Sequence, residues 1–319
     1  MDGLPIRYYS KGMIPEVAAK IPQTWKLEKP DPSWWKSESL RDSIRACRES
    51  TRHHAKSFYF ASFPLPKYKR LGAFVVYAYC RYIDDIIDNA PISDLAPTEE
   101  FLKQELEDIL TGKTSLPFAP ALRTVINKFG IPIVFWHDLI HGCCLDRQPQ
   151  RLKTYEELEL YCYFVASVVG LIMCCVFGVK DKDALPRAIE MGIALQLTNI
   201  LRDIHEDWQK GRCYIPLNFL EEYDLSYQSL DDAHYSENWH RLISRETQRA
   251  EEFYQKGNAG LKAIPADGSQ QCALIMSRVY AGILNSIERQ DNNPFAGRAY
   301  VPFSRKCFIA LRALVEKAP

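Results

Sequence analysis

The run from Tyr161 to Val179 carries no charged residue, and this stretch limits what the chain can become. A helix that is apolar on every side must lie deep in a large core or in lipid. Tyr161, Cys162, Tyr163, Ser167 and Gly170 make the run less lipid-like than a string of leucines. The expectation is a buried helix lining an apolar cavity; the rival is an integral membrane protein spanning at Tyr161–Val179. With 319 residues, 47% of them apolar, the chain is long enough to enclose such a helix.

The remaining signals are helical almost throughout. Leu102, Leu106, Ile109 and Leu110 have helical spacing behind Thr98, a cap candidate. A helix around Leu122 to Phe129 should stop at Gly130. Thr154 and Glu157 read as a capping box opening the apolar helix. Asp183 and Pro186 open a long helix to about Gly211, and another runs from about Ser236 to Gly257. Proline-rich breaks near 89–97, 113–120 and 263–268 read as loops between helices. Residues 1–40, with Trp25, Trp34 and Trp35, are expected to form an irregular arm, and residues 41–319 one all-α domain.

Basic and acidic residues balance at 40 each, which argues against a nucleic-acid partner. The small cluster Lys67, Lys69 and Arg70 reads as solvated surface. The ten cysteines show no zinc-finger spacing and mostly sit in apolar stretches, as reduced core residues of a cytoplasmic protein do. The first thirty residues contain acidic side chains and no signal-peptide core.

The chemistry is concentrated in two helical segments. Tyr77, Arg81, Asp84 and Asp88 are spaced four, three and four, so they share a face. Gln196, Asn199, Asp203 and Asp207, spaced three, four and four, do the same. Like charges at i, i+4 repel and need a counter-charge. Magnesium suits the role, because it bridges one or two carboxylates to substrate phosphate oxygens. The plain alternative is a solvated acidic face, paired with neighbours such as Arg81, Arg202 or Lys210.

At these residues the sequence resembles the squalene and phytoene synthase family. Tyr77 to Asp88 is similar to its first aspartate motif, and Gln196 to Pro216 to its second, including Gly211-Arg212 and Tyr214-x-Pro216. His54-Ala55-Lys56-Ser57-Phe58 resembles an early Ser-Lys-Ser-Phe element, with Ala55 in place of the first serine. Tyr161 to Gly170 resembles the helix lining the substrate tunnel, with Ser167 where glycine is usual. Arg278-Val279-Tyr280 and Arg298 to Val301 resemble late elements. His141-Gly142 departs from an Asp-Gly that often precedes the aspartate matched by Asp146.

The resemblance implies a single all-α isoprenoid-synthase bundle around a central apolar cavity. It implies that Asp84, Asp88, Asp203 and Asp207 hold magnesium, or manganese, with support from Asn199 and, from a neighbouring face, Glu206. Tyr77 and Arg81 join them as catalytic groups. Arg81, Arg212, Arg298 and Lys306 would grip diphosphate oxygens, while Ser57, Phe58, Tyr161, Gln196 and Tyr280 complete the substrate site. The implied reaction joins two prenyl diphosphates head to head through a cyclopropylcarbinyl diphosphate. Proton loss then gives phytoene or dehydrosqualene, and NADPH reduction gives squalene.

No glycine-rich dinucleotide fingerprint is present, so NADPH is not expected. Ser62, one turn beyond Phe58, is expected on the pocket face, where a small side chain leaves room for geranylgeranyl rather than farnesyl diphosphate. Nearby Tyr59, Phe60 and Phe74 are the groups that would close that space. The rivals are a head-to-tail prenyltransferase or terpene cyclase, which shares the Asp84-Asp85-x-x-Asp88 string, and a non-catalytic assembly factor of the same fold. The reduced cysteines point to a cytoplasmic enzyme, and the greasy substrates and product imply reversible contact with a membrane surface.

Overall fold

A computed structural model describes residues 31–89, 95–146 and 151–316. Fourteen α-helices and no strand are found among the described residues. In chain order α1 is Arg41–His54, α2 Lys56–Ala61, α3 Lys67–Asn89, α4 Leu95–Thr111 and α5 Ala119–Phe129. They are followed by α6 Ile133–Leu145, α7 Tyr155–Cys162, α8 Val168–Phe177, α9 Leu185–Gln209 and α10 Leu217–Glu222. The rest are α11 Tyr227–Asp231, α12 Glu237–Asn258, α13 Ser269–Arg289 and α14 Phe303–Val315.

The two stripe-bearing helices form because each has one apolar face to bury. In α3 that face includes Ala78, Tyr79, Ile83 and Ile87; in α9 it includes Ile193, Leu197, Ile200 and Ile204. Pro186 sits in the first turn of α9, where its missing N–H costs no hydrogen bond. The helix packs on α8, α12 and α13. It comes so close to Ser167 that a Cβ on Gly192 would lie 2.3 Å from the Ser167 Cα. Ser167 Oγ donates to the Ile189 carbonyl at 2.8 Å, tying the helices together.

The charge-free run is one continuous helical path, but not one α-helix. Between α7 and α8, Tyr163–Ser167 forms a π turn. The path Tyr155–Phe177 is long and apolar enough to cross a membrane, yet 72% of its most apolar window is buried inside the protein. It packs against α3, α6 and α9, as the core reading expected.

Several local expectations hold. Helix α5 stops at Gly130, α12 is preceded by Ser236, and all ten cysteines are free thiols. Thr154 accepts from the Glu157 N–H, but the Glu157 carboxylate reaches the Lys153 N–H rather than Thr154's own. Thr98 is not a cap, because α4 begins earlier, at Leu95. The Asp183 side chain and residues 1–30, including Trp25, lie outside the described residues. Of the proposed arm, residues 34–40 form two short 3₁₀ turns, with Trp34 buried edge-on against Phe129.

Lys69 corrects the reading of a solvated basic cluster. Its side chain is 3% exposed. Nζ donates to the Phe177 carbonyl at 2.6 Å, to Asp267 Oδ2 at 2.7 Å and to Ser269 Oγ at 3.1 Å. One ammonium thus joins the start of α3, the end of α8 and the start of α13, with three acceptors to offset its desolvation.

Candidate active site

On α3, Tyr77 faces the central cavity beside Phe58, with ring centroids 6.1 Å apart. Burial pushes its phenol up to about 12. Asp84, two stripe positions further, is accessible from solvent although the protein surrounds it. Burial is the main reason its carboxyl is pushed up to about 6. The Cys143 thiol and Arg81 oppose that rise, while the charges of Asp146 and Asp88 add to it. Arg81 is turned onto Asp85, and its Nε is buried without a partner. Asp88 is exposed at the end of the stripe.

On α9, Asn199 donates to Gln196 Oε1 at 3.3 Å. Asp203 is held by two guanidinium groups. Arg202 Nε donates to its Oδ1 at 2.8 Å, and Arg298 Nη2 to its Oδ2 at 3.3 Å. Arg298 also reaches Glu206, Nη1 to Oε2, at 3.4 Å. Burial, then the charge of Asp203, pushes the Asp207 carboxyl up to about 6 against Lys210 and Arg212. Gly211, at φ 79°, turns the chain after the helix in a left-handed conformation. This lets the Arg212 N–H donate to the Asp207 carbonyl at 2.8 Å.

Asp146 links the two stripes, and sequence reasoning did not include it in the site. Its Oδ1 accepts from Tyr214 at 2.7 Å and from Tyr161 at 2.8 Å, and those two rings stack at 4.7 Å. Burial raises the Asp146 carboxyl, the two hydroxyls and Arg212 oppose, and the charge of Asp88 adds. Because Asp146 in turn pushes Asp84 and Asp207 upwards, all three groups lie within electrostatic reach of one another. The available sequence signal was Tyr161, a hydroxyl inside a charge-free run that must find an acceptor. His141, where the related pattern often has aspartate, turns away to Glu99, with Nδ1 3.3 Å from both carboxylate oxygens. That pairing, with Lys103, holds Glu99 down at about 2.

A cavity of about 770 Å³ opens beside these groups. Ser57, Phe58, Tyr77, Tyr280, Arg202 and Arg298 line it, and the last two join that wall to Asp203; the four stripe aspartates, Arg81 and Arg212 are not themselves on it. Apolar side chains including Val169, Met173, Phe177, Ala188, Leu195 and Met276 form much of the remaining wall. The Tyr280 phenol is raised by burial, with Arg202 opposing. Lys306 donates to Ser57 Oγ at 2.9 Å on the cavity wall. Tyr161 and Gln196 are not on that wall: the first is committed to Asp146, the second to Asn199. Ser62 is also absent from it, being fully buried with Oγ turned back onto the Tyr59 carbonyl at 2.7 Å. Tyr59 stacks on Phe74 at 5.1 Å, and neither ring is on the cavity wall. The space reading drawn from Ser62 therefore does not apply.

Two carboxylate stripes at the end of a largely apolar cavity in an all-helical chain define a narrow class of protein. The sequence profile described as Squalene/phytoene synthase matches residues 51–305. This chain belongs to that family. A 15-cis-phytoene synthase from Synechocystis is 33% identical, covering 92% of this chain and 94% of the relative. A phytoene synthase from Arthrospira platensis is 34% identical over 83% of this chain and 90% of its own. Among solved structures, a dehydrosqualene synthase in complex with ligand superposes with a TM-score of 0.80 at 28% identity, covering 89% of this chain and 98% of that one. A squalene synthase from Alicyclobacillus acidocaldarius gives 0.74 at 26% identity, covering 83% and 100%. This member of the squalene/phytoene synthase family is a prenyltransferase that condenses two prenyl diphosphates head to head.

Proposed function

We propose that this synthase joins two geranylgeranyl diphosphates and releases phytoene, with residues 41–319 as the working domain and residues 1–40 as an arm. The observation that carries the catalytic part is the pair of aspartate stripes, on α3 and α9, beside a largely apolar cavity of about 770 Å³. The choice of substrate rests on the phytoene synthase relatives at 33% and 34% identity.

The donor set fits a hard divalent cation. Asp84, Asp88, Asp203, Asp207 and Asn199 offer oxygen ligands, and Asp84 and Asp207 sit at about 6 among other carboxylates. Among the described residues no three His, Cys, Asp or Glu side chains form a ready cage. None is needed where substrate phosphates complete the coordination. These residues would hold magnesium or manganese, whose charge would offset that of the diphosphate leaving group.

The chain's own groups do the rest. Arg81, Arg212, Arg298 and Lys306 grip diphosphate oxygens, for which a charged fork of donors is well suited. To do so, Arg81 must leave Asp85 and Arg298 must leave Asp203. Phe58, Tyr77 and Tyr280 face the passing carbocations, which aromatic faces stabilise. The apolar wall keeps water from capturing them. Tyr77 at about 12 stays protonated at neutral pH, so the released diphosphate is the better final base. The reaction then ends without NADPH, in a cytoplasmic enzyme that touches membranes reversibly.

The test is a product profile from purified protein with magnesium, offered geranylgeranyl and farnesyl diphosphate in competition, with and without NADPH. Phytoene from the longer substrate, independent of NADPH, is expected. Preference for farnesyl diphosphate with dehydrosqualene as product would reassign the substrate. A cyclopropyl diphosphate that stalls until NADPH yields squalene would overturn the proposed ending.

A further inference from the structure

The exposed large apolar side chains of this synthase are concentrated on its last helix. On α14, Phe308, Leu311 and Val315 are 59%, 65% and 84% exposed. Their spacing of three and four puts them on one face. The opposite face holds the buried Ala310 and Ala313 and packs on α13. Phe303, also exposed, meets Phe60 of α2 at 6.0 Å, and exposed Phe63 follows α2 in the chain.

Charge is equally uneven. The helix Phe303–Val315 carries Arg305, Lys306 and Arg312 and no acidic residue, in a chain whose charges balance overall. Arg312 is paired with Glu316, while Arg305 is exposed with no ion-pair partner among the described residues. An apolar stripe flanked by basic side chains on a surface helix suits the interface of an anionic bilayer. Position adds a reason: Lys306, on the inner side of α14, bonds Ser57 on the cavity wall. Substrate and product chains are prenyl groups, so a face bound to lipid here places the cavity next to the phase that dissolves them.

We propose that the outer face of α14, extended by Phe303 and Phe63, is the surface by which this synthase docks on anionic lipid. The proposal rests on the peripheral-contact reading above and names its surface.

The experiment is sedimentation with vesicles of phosphatidylcholine, pure or mixed with phosphatidylglycerol, for the full chain and two variants. Wild type should bind the anionic vesicles, less so in high salt. Phe308→Ser with Leu311→Ser should lower binding by about tenfold or more, since both lose their apolar contribution to insertion. Arg305→Glu should lower it by at least about fivefold. Both variants should keep wild-type turnover on detergent-dispersed substrate. If wild type fails to bind, the peripheral reading and this surface fall together. If wild type binds and the serine variant binds equally, the surface alone is wrong. Equal affinity for neutral vesicles, a dimer that the serine variant breaks, or loss of turnover in detergent would each overturn the assignment.

Discussion

The Arg298 guanidinium reaches back across 95 positions of chain to Asp203, with Nε 3.2 Å from Oδ1. Together with Arg202 it supplies the positive charge that the second aspartate stripe needs before substrate arrives. The same guanidinium is proposed to hold diphosphate, so its contact with Asp203 must be exchanged during binding. Arg298→Lys keeps a charge but loses the fork. We expect KM for prenyl diphosphate to rise by about tenfold or more, with less change in kcat, in steady-state kinetics. An unchanged KM would remove Arg298 from the substrate site.

Tyr161 and Tyr214 both donate to Asp146, the carboxylate that couples the two stripes. Removing one hydroxyl takes away a charge-assisted hydrogen bond worth about 1.5–3 kcal/mol and leaves the other in place. Tyr214→Phe should therefore slow turnover by roughly tenfold while the protein stays folded. Asp146→Asn should cost more, and adding Tyr214→Phe to it should cost little further. Rates of the two single variants and the double variant check this; strict additivity would mean the hydroxyl acts elsewhere.

Ala188 lies on the cavity wall and is partly exposed to the space. Phenylalanine there removes volume from the route of the prenyl chain. The ratio of kcat/KM for geranylgeranyl over farnesyl diphosphate should fall by about tenfold or more, given what one or two methylene groups are worth in an apolar pocket. An unaltered ratio would place the chain in another part of the cavity.

Lys69 joins three helices by one buried ammonium. Lys69→Met should destabilise the fold by about 2–4 kcal/mol, because the buried Phe177 carbonyl loses its lysine donor and the ion pair to Asp267 is broken; Ser269 keeps its bond to Asp267, which is partly exposed and recovers water. The Asp267 carboxyl is held below its ordinary value: burial raises it, but Lys69 and Ser269 outweigh that. A depressed carboxyl contributes stability that is complete above the unfolded-state value, near 4, and is lost as pH falls through the folded-state value. Urea unfolding between neutral and acid pH should show this loss in wild type and a smaller one in Lys69→Met. Equal pH slopes would show that the pair does not govern acid stability.

The fold was legible where information is local. The apolar faces of α3 and α9, Gly130 after α5 and Ser236 before α12 are set by spacing and by single residues, and each stands where the sequence put it. What escaped was long-range. A lysine in a basic cluster with Lys67 and Arg70 reads as surface unless Phe177 and Asp267 are known to meet it. The π turn at Tyr163–Ser167 packs against α9, a contact between segments that local spacing does not reveal. Tyr161 was expected in the substrate site, but its neighbour is Asp146 rather than the cavity, a distinction that needs the helix's rotation in the bundle. Ser62 failed for the same reason.

The aspartates of α3 and α9 are proposed to drive departure of diphosphate together. Asp84→Asn and Asp203→Asn keep the shape of each side chain and remove its charge. Single-turnover release of diphosphate, measured in matched magnesium with circular dichroism to confirm the fold, tests the claim directly. A loss of about a thousandfold or more is expected in each variant, since metal-assisted ionisation is worth several kcal/mol. Retention of more than about a tenth of the wild-type rate by either folded variant would contradict it.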